Sequence, residues 1–202
     1  MPRKSESAND RARTMLAQEA ARIIAEHGVD DYRAAKIKAA ERLGLTTRGS
    51  LPGNDEIERA LADHLVLFHG DAHLDLLCRL RTAALSAMQL LSSFAPRLVG
   101  PVLSGTAAVH SAVNLHVFSD SVEQVADQLQ RHRIACKLFE RRLKSRRGRV
   151  EAFAGYHFMH DDAAIEATVF PFDGIRQAPI SPVDGKPMQR ADAHVVLAMI
   201  EG

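Results

Sequence analysis

The densest chemistry-bearing stretch of the chain is basic. Arg131, Arg133, Lys137, Arg141, Arg142, Lys144, Arg146, Arg147 and Arg149 are opposed within that stretch by Glu140 alone. Arginine presents a planar fork of N–H donors that matches phosphate oxygens, so such a segment can hold a nucleotide or an RNA backbone. The simpler reading is a solvated hairpin with a charged turn. Phe139 is the one aromatic among these residues, which gives little for bases to stack on. A second cluster holds His64, His69, Asp71, His73, Asp75 and Cys78. His69 and His73 have the four-residue spacing of helical zinc ligands. Gly70 falls between them and no glutamate follows His69, so surface histidines near a helix start are the simpler reading. His157 and His160 are three apart and on a strand would face opposite ways. No Ser-His-Asp or Cys-His set has a recognisable local context.

These residues need elements to position them, and the chain changes grammar half-way. Leu16, Ala20, Ile23 and Ile24 share a helical face ended by Gly28. Asp30 or Asp31 caps a second helix carrying Tyr32, Ala35, Ala39 and Leu43, and Gly44 stops it. Arg33, Lys36, Lys38 and Arg42 on that helix have the charge of a helix-turn-helix reader. They are also what any amphipathic surface helix shows. After a loop over 46–53, Asn54 or Asp55 caps a third helix through Ile57, Leu61, Leu65 and Phe68, interrupted at Gly70. A fourth helix spans 74–94, with Leu77, Leu80, Ala84, Met88 and Leu91 as its buried stripe, and Pro96 closes it.

Beyond Pro96 the pattern predicts a strand over 97–103 and a loop over 105–111. A period-two strand follows over 113–118, then a helix capped by Ser121 with Val122, Val125, Ala126 and Leu129 inward. Strands over 135–143 and 149–158 flank a basic turn, a further strand spans 165–170, and a closing helix spans 191–201. The fold class is α+β: a mixed sheet with helices behind an all-helical N-terminal region. The expected divisions are a disordered leader at 1–10, a helical region at 11–95 and an α+β domain at 96–202. The fourth helix is a candidate to pack on the sheet and belong to both halves.

Composition narrows the function classes. The chain of 202 residues is 46% hydrophobic, enough for a core, and its net charge of +1 gives no global attraction to nucleic acid or membrane. Cys78 and Cys136 are the two cysteines and form no metal-binding pair, which fits a reducing, cytoplasmic setting. No apolar run is long enough to span a bilayer.

The segment Gly100-Pro-Val-Leu-Ser-Gly105-Thr-Ala-Ala-Val-His110-Ser111-Ala112-Val-Asn114-Leu115-His-Val-Phe118 resembles the signature of the polymerase β-type nucleotidyltransferase superfamily. That signature is Gly-Ser, three residues, Gly, five residues, then Ser-Asp-hydrophobic-Asp-Leu. Gly100, Gly105, Ser111 and Leu115 match, and the resemblance covers 97–170. It implies a Gly turn that approaches phosphate, two strand aspartates that hold magnesium, and a third carboxylate on a later strand. Here Pro101 stands at the Ser position and has no N–H. Ala112 and Asn114 stand at the two metal-binding acids, and Glu166 is the best match for the third.

The resemblance therefore implies a nucleotidyltransferase-like chain that has lost catalysis. It would bind a nucleotide, another phosphate-bearing ligand or a protein partner. Ligand contacts would come from Gly100, Gly105, Ser111, Asn114, Arg141, Arg142, Arg146 and Arg147. The N-terminal helices are available to a partner protein. Two alternatives stay open. One is an active nucleotidyl- or phosphotransferase with a rearranged magnesium site built from Asp120, Glu166 and Asp161 or Asp162. The other is a nucleic-acid-binding protein using the 131–149 hairpin.

Overall fold

A computed structural model describes residues 3–29, 31–45, 51–145 and 148–201, with side chains from residue 9 onward. Arg146 and Arg147 lie outside the described residues. The fold is α+β: helices α1 (Arg3–His27), α2 (Tyr32–Leu43) and α3 (Asn54–Leu90) precede a five-stranded mixed sheet. No described helix is long and apolar enough to cross a membrane.

The chain divides into two compact units. The first comprises residues 1–74, 108–110 and 182–184, and the second the remainder. The division expected near Pro96 thus falls inside α3. Its physical cause is the apolar stripe after Asp75: Leu77, Leu80, Ala84, Met88 and Leu91 are buried in the core of the sheet. Gly70 breaks the helical geometry of α3 at φ 38, ψ −119. The segment expected as a leader is also corrected, because Arg3 to Asp10 form the first turns of α1. That stretch contains neither Gly nor Pro, so nothing local breaks the helix.

In the first unit Leu16, Ala20, Ile23, Ala35, Ala39, Ile57, Leu61 and Leu65 form one buried cluster. Asp31 caps α2, its Oδ1 accepting from Arg33 N at 2.7 Å and Ala34 N at 3.2 Å. Glu56 receives the N–H of Gly53 at 2.6 Å and the guanidinium of Arg13, which holds its carboxyl below the usual range.

In the second unit the strands are β1 (Arg97–Val99), β2 (Val113–Phe118), β3 (Cys136–Lys144), β4 (Val150–His160) and β5 (Ala163–Phe170). Their order in the sheet is β1-β2-β5-β4-β3. β2 and β5 are parallel neighbours, and the other pairings are antiparallel. The strand expected over 97–103 is shorter than its pattern suggests. Gly100 turns it at φ 72, and Pro101 opens the single helical turn α4 (Pro101–Ser104). Helix α5 (Val122–Arg131) follows β2 and α6 (Ala193–Glu201) closes the chain. Period-two alternation sends Leu115, Val117, Ile165, Ala167, Tyr156 and Phe158 into the helix-covered core. The residues between them, Asn114, His116, Phe118, Glu166, Thr168 and Phe170, share the other face.

Candidate functional site

Asn114 and Glu166 are register partners on the parallel strands β2 and β5. Paired residues of neighbouring strands point to the same face, so the two side chains stand side by side. Arg141 completes the group. Its Nη1 donates to Asn114 Oδ1 at 2.8 Å, and its Nη2 donates to the Glu166 carboxylate. The Arg141 and Glu166 side chains are 32% and 27% exposed, so the pair is reachable from solvent.

This contact reaches from β3 across β4 to Glu166 on β5 and to Asn114 on β2. Gly155 on β4 marks the close approach. A Cβ there would collide with Phe139 Cζ and lie 2.7 Å from the Ala167 carbonyl oxygen. Phe139 in turn underlies the guanidinium, with Arg141 Cζ 5.3 Å from its ring centroid. His157 is the β4 register partner of Glu166 and lies beside it.

The residues singled out from the sequence separate as follows. Ala112 sits just before β2, its carbonyl accepting from Asn114 Nδ2 at 3.2 Å. Gly100 packs against the same amide, since a Cβ there would lie 3.4 Å from Asn114 Nδ2. Its carbonyl accepts from Leu103 N and Ser104 N, both at 3.0 Å, which fixes the turn. Gly105 takes φ 85 at the end of α4, and Ser111 is half-buried ahead of β2. Arg142 is on the opposite face from Arg141 and pairs with Glu140 at 3.3 Å. Asp120 lies beyond the C-terminal end of β2, whereas Glu166 is near the start of β5. Asp161 and Asp162 form the β4–β5 turn at positive φ. The acids named for a rearranged magnesium site therefore do not converge.

Two arrangements had no sequence signal. Arg190 donates its Nε to His116 Nδ1 at 3.0 Å and its Nη1 to the carbonyls of Gly174 and Ile175 at 2.8 and 3.2 Å. Its guanidinium carbon lies 5.0 and 5.1 Å from the Phe118 and Phe170 ring centroids. Burial, with a lesser contribution from nearby Arg97, lowers its pKa to about 10. Burial, then Arg190 and Arg141, holds His116 well below its ordinary value, so the imidazole is neutral and accepts at Nδ1. Among the described residues, Arg190 Nη2 is buried with no hydrogen-bond partner.

Ser86, His160 and Asp161 also meet. Ser86 Oγ lies 2.9 Å and Asp161 Oδ2 3.8 Å from the same nitrogen, His160 Nε2. A nucleophile relay needs the serine and the acid on opposite ring nitrogens, so this set does not activate Ser86. Among the described residues no group of three His, Cys, Asp or Glu side chains is placed to hold a metal ion.

The Asn114 position does not fit magnesium. It offers one neutral amide oxygen already bonded to Arg141, the Ala112 side chain has no ligand atom, and Glu166 is engaged by a guanidinium. No family model, curated protein or solved structure matches this chain.

Proposed function

We propose that this chain is a nucleotidyltransferase-like protein without nucleotidyl transfer, and that it binds a phosphate-bearing ligand through Arg141. The observation that carries the reading is the Arg141 bridge between Asn114 and Glu166. In the family resembled, the corresponding strand positions hold acids and a dication. Here a fixed guanidinium supplies the positive charge. Two of its five N–H groups are used on Asn114 and Glu166, leaving three for phosphate oxygens. Glu166 and Asn114 act as positioning residues. The Gly100 turn brings backbone close to the same amide.

The test is calorimetric titration of the full chain with inorganic triphosphate and with ATP in the presence of EDTA. Saturable binding is expected without magnesium, weakened about tenfold or more in Arg141→Gln. Binding that requires magnesium, or that survives Arg141→Gln unchanged, contradicts the reading.

Lys137, Arg142, Lys144 and Arg149 are exposed on the hairpin, and they support nucleic-acid binding as a second reading. It predicts RNA or DNA affinity that falls steeply with salt and drops on Arg142→Glu with Lys144→Glu. No binding at low salt would sink it.

A further inference from the structure

The parallel neighbours β2 and β5 send the chain to opposite faces at their C-terminal ends. After Phe118 it enters α5, whose Val125 and Leu129 are buried with Leu115 and Val117. After Phe170 it enters the 3-10 turn Phe172–Arg176, which packs on the His116 face. A Cβ on Gly174 would lie 3.2 Å from Phe170 Cβ, and its carbonyl holds Arg190. Diverging connections from adjacent parallel strands leave a crevice beyond their carboxyl ends, the usual ligand position in such sheets. An open cleft of about 630 Å³ lies at this point, within the size range of small-molecule sites.

Its lining has a definite chemistry. Phe172 presents a ring that is 60% exposed. Asp120 uses Oδ1 to accept from Phe172 N at 3.0 Å, which fixes the carboxylate beside that ring. Ser119 Oγ donates to the Ser121 carbonyl at 2.7 Å and lies 3.0 Å from the Gln124 amide, which tethers that amide at the cleft wall. Arg131 lines the same cleft, and no described cation lies within salt-bridge reach of Asp120. A flat aromatic face, a carboxylate acceptor and a side-chain amide in one cleft complement a planar heterocycle whose edge carries N–H donors beside a carbonyl. Guanine has that edge.

We propose that this cleft binds a nucleobase, guanine ahead of adenine, with Phe172 stacking on the ring and Asp120 accepting its N–H groups. The site stands apart from Arg141: Asn114 and Phe118 are four residues apart on β2, about 13 Å along the strand.

Equilibrium dialysis of the full chain with guanosine, adenosine, cytidine and uridine tests it, since none of these carries phosphate. Guanosine is expected to bind most tightly. Phe172→Ala should weaken it about tenfold or more, the usual scale of base–aromatic stacking. Asp120→Asn keeps the acceptor for Phe172 N and should erase the preference for guanosine over adenosine. Arg141→Gln should leave nucleoside binding unchanged, which separates failure of this site from failure of the phosphate site. Circular dichroism of each variant verifies the fold. Four results would overturn the proposal. They are no nucleoside binding at roughly millimolar concentration, guanosine binding no tighter than adenosine, and binding indifferent to Phe172→Ala or lost in Arg141→Gln.

Discussion

Arg141 and Arg190 place two guanidinium groups on one face of the same sheet, and the surroundings give them opposite characters. Arg141 meets a carboxylate and an amide at a partly exposed position. Its charge is matched, and three N–H groups stay available. Arg190 meets a neutral imidazole, two carbonyls and two aromatic faces, with no carboxylate. It is half-buried, and its Nε and Nη1 donors hold the Phe172–Arg176 turn against β2. One arginine is placed to meet something outside the protein, and the other is placed to hold the protein together. Charge alone does not distinguish them; the neighbours two residues along β2, Asn114 and His116, do.

Breaking the frame that both share should have the largest effect. Gly155→Ala would drive a methyl into Phe139 and the Ala167 carbonyl. Thermal or urea unfolding should show a loss of about 3 kcal/mol, because a backbone oxygen cannot rotate away. Next comes Arg190→Met, which keeps the apolar stem over Phe118 and Phe170 but abandons two carbonyls and His116. A loss of about 2 kcal/mol is expected by the same measurement.

His116 sharpens the contrast through pH. Its folded pKa lies well below the ordinary value, so below about pH 6.5 the unfolded chain takes up a proton that the folded chain refuses. Its contribution is complete above pH 6.5 and declines as pH falls. Between pH 7.5 and 5.5 the parent should lose about 1 kcal/mol more stability than His116→Gln. A slope shared by both proteins would remove His116 from the account. The smallest effect belongs to the partly exposed pair of Arg141 and Glu166. A double-mutant cycle between Arg141→Met and Glu166→Gln should give a coupling below about 1 kcal/mol, since solvent screens both partners. A coupling several times larger would make Arg141 a structural residue like Arg190.

Local pattern carried much of the fold. The period-two run over 113–118 is β2, and the glycine stops at Gly28 and Gly44 both take left-handed φ. Gly70 interrupts α3 as its position suggests. The short β1 shows where pattern fails, because an apolar run cannot reveal that Gly100 and Pro101 end the strand. Within the candidate site, the pairing of Asn114 with Glu166 was open to a guess at register. The Arg141 bridge was not, because it depends on a hairpin two strands away reaching across Gly155. Arg142, adjacent in sequence and equal in charge, faces the other way by strand alternation. Arg190 sits in a loop rich in Pro and Gly that carries no periodicity, so its stacking on Phe118 and Phe170 has no sequence signature.

The central claim is that the Arg141 guanidinium takes the place a metal would need. Manganese binding, followed by electron paramagnetic resonance, tests it on two engineered chains. One carries Ala112→Asp with Asn114→Asp, and the other adds Arg141→Gln. The account predicts little manganese uptake by the first chain, whose new acids face the guanidinium, and clear stoichiometric uptake by the second. Equal uptake by both chains, or none by the second, would contradict it.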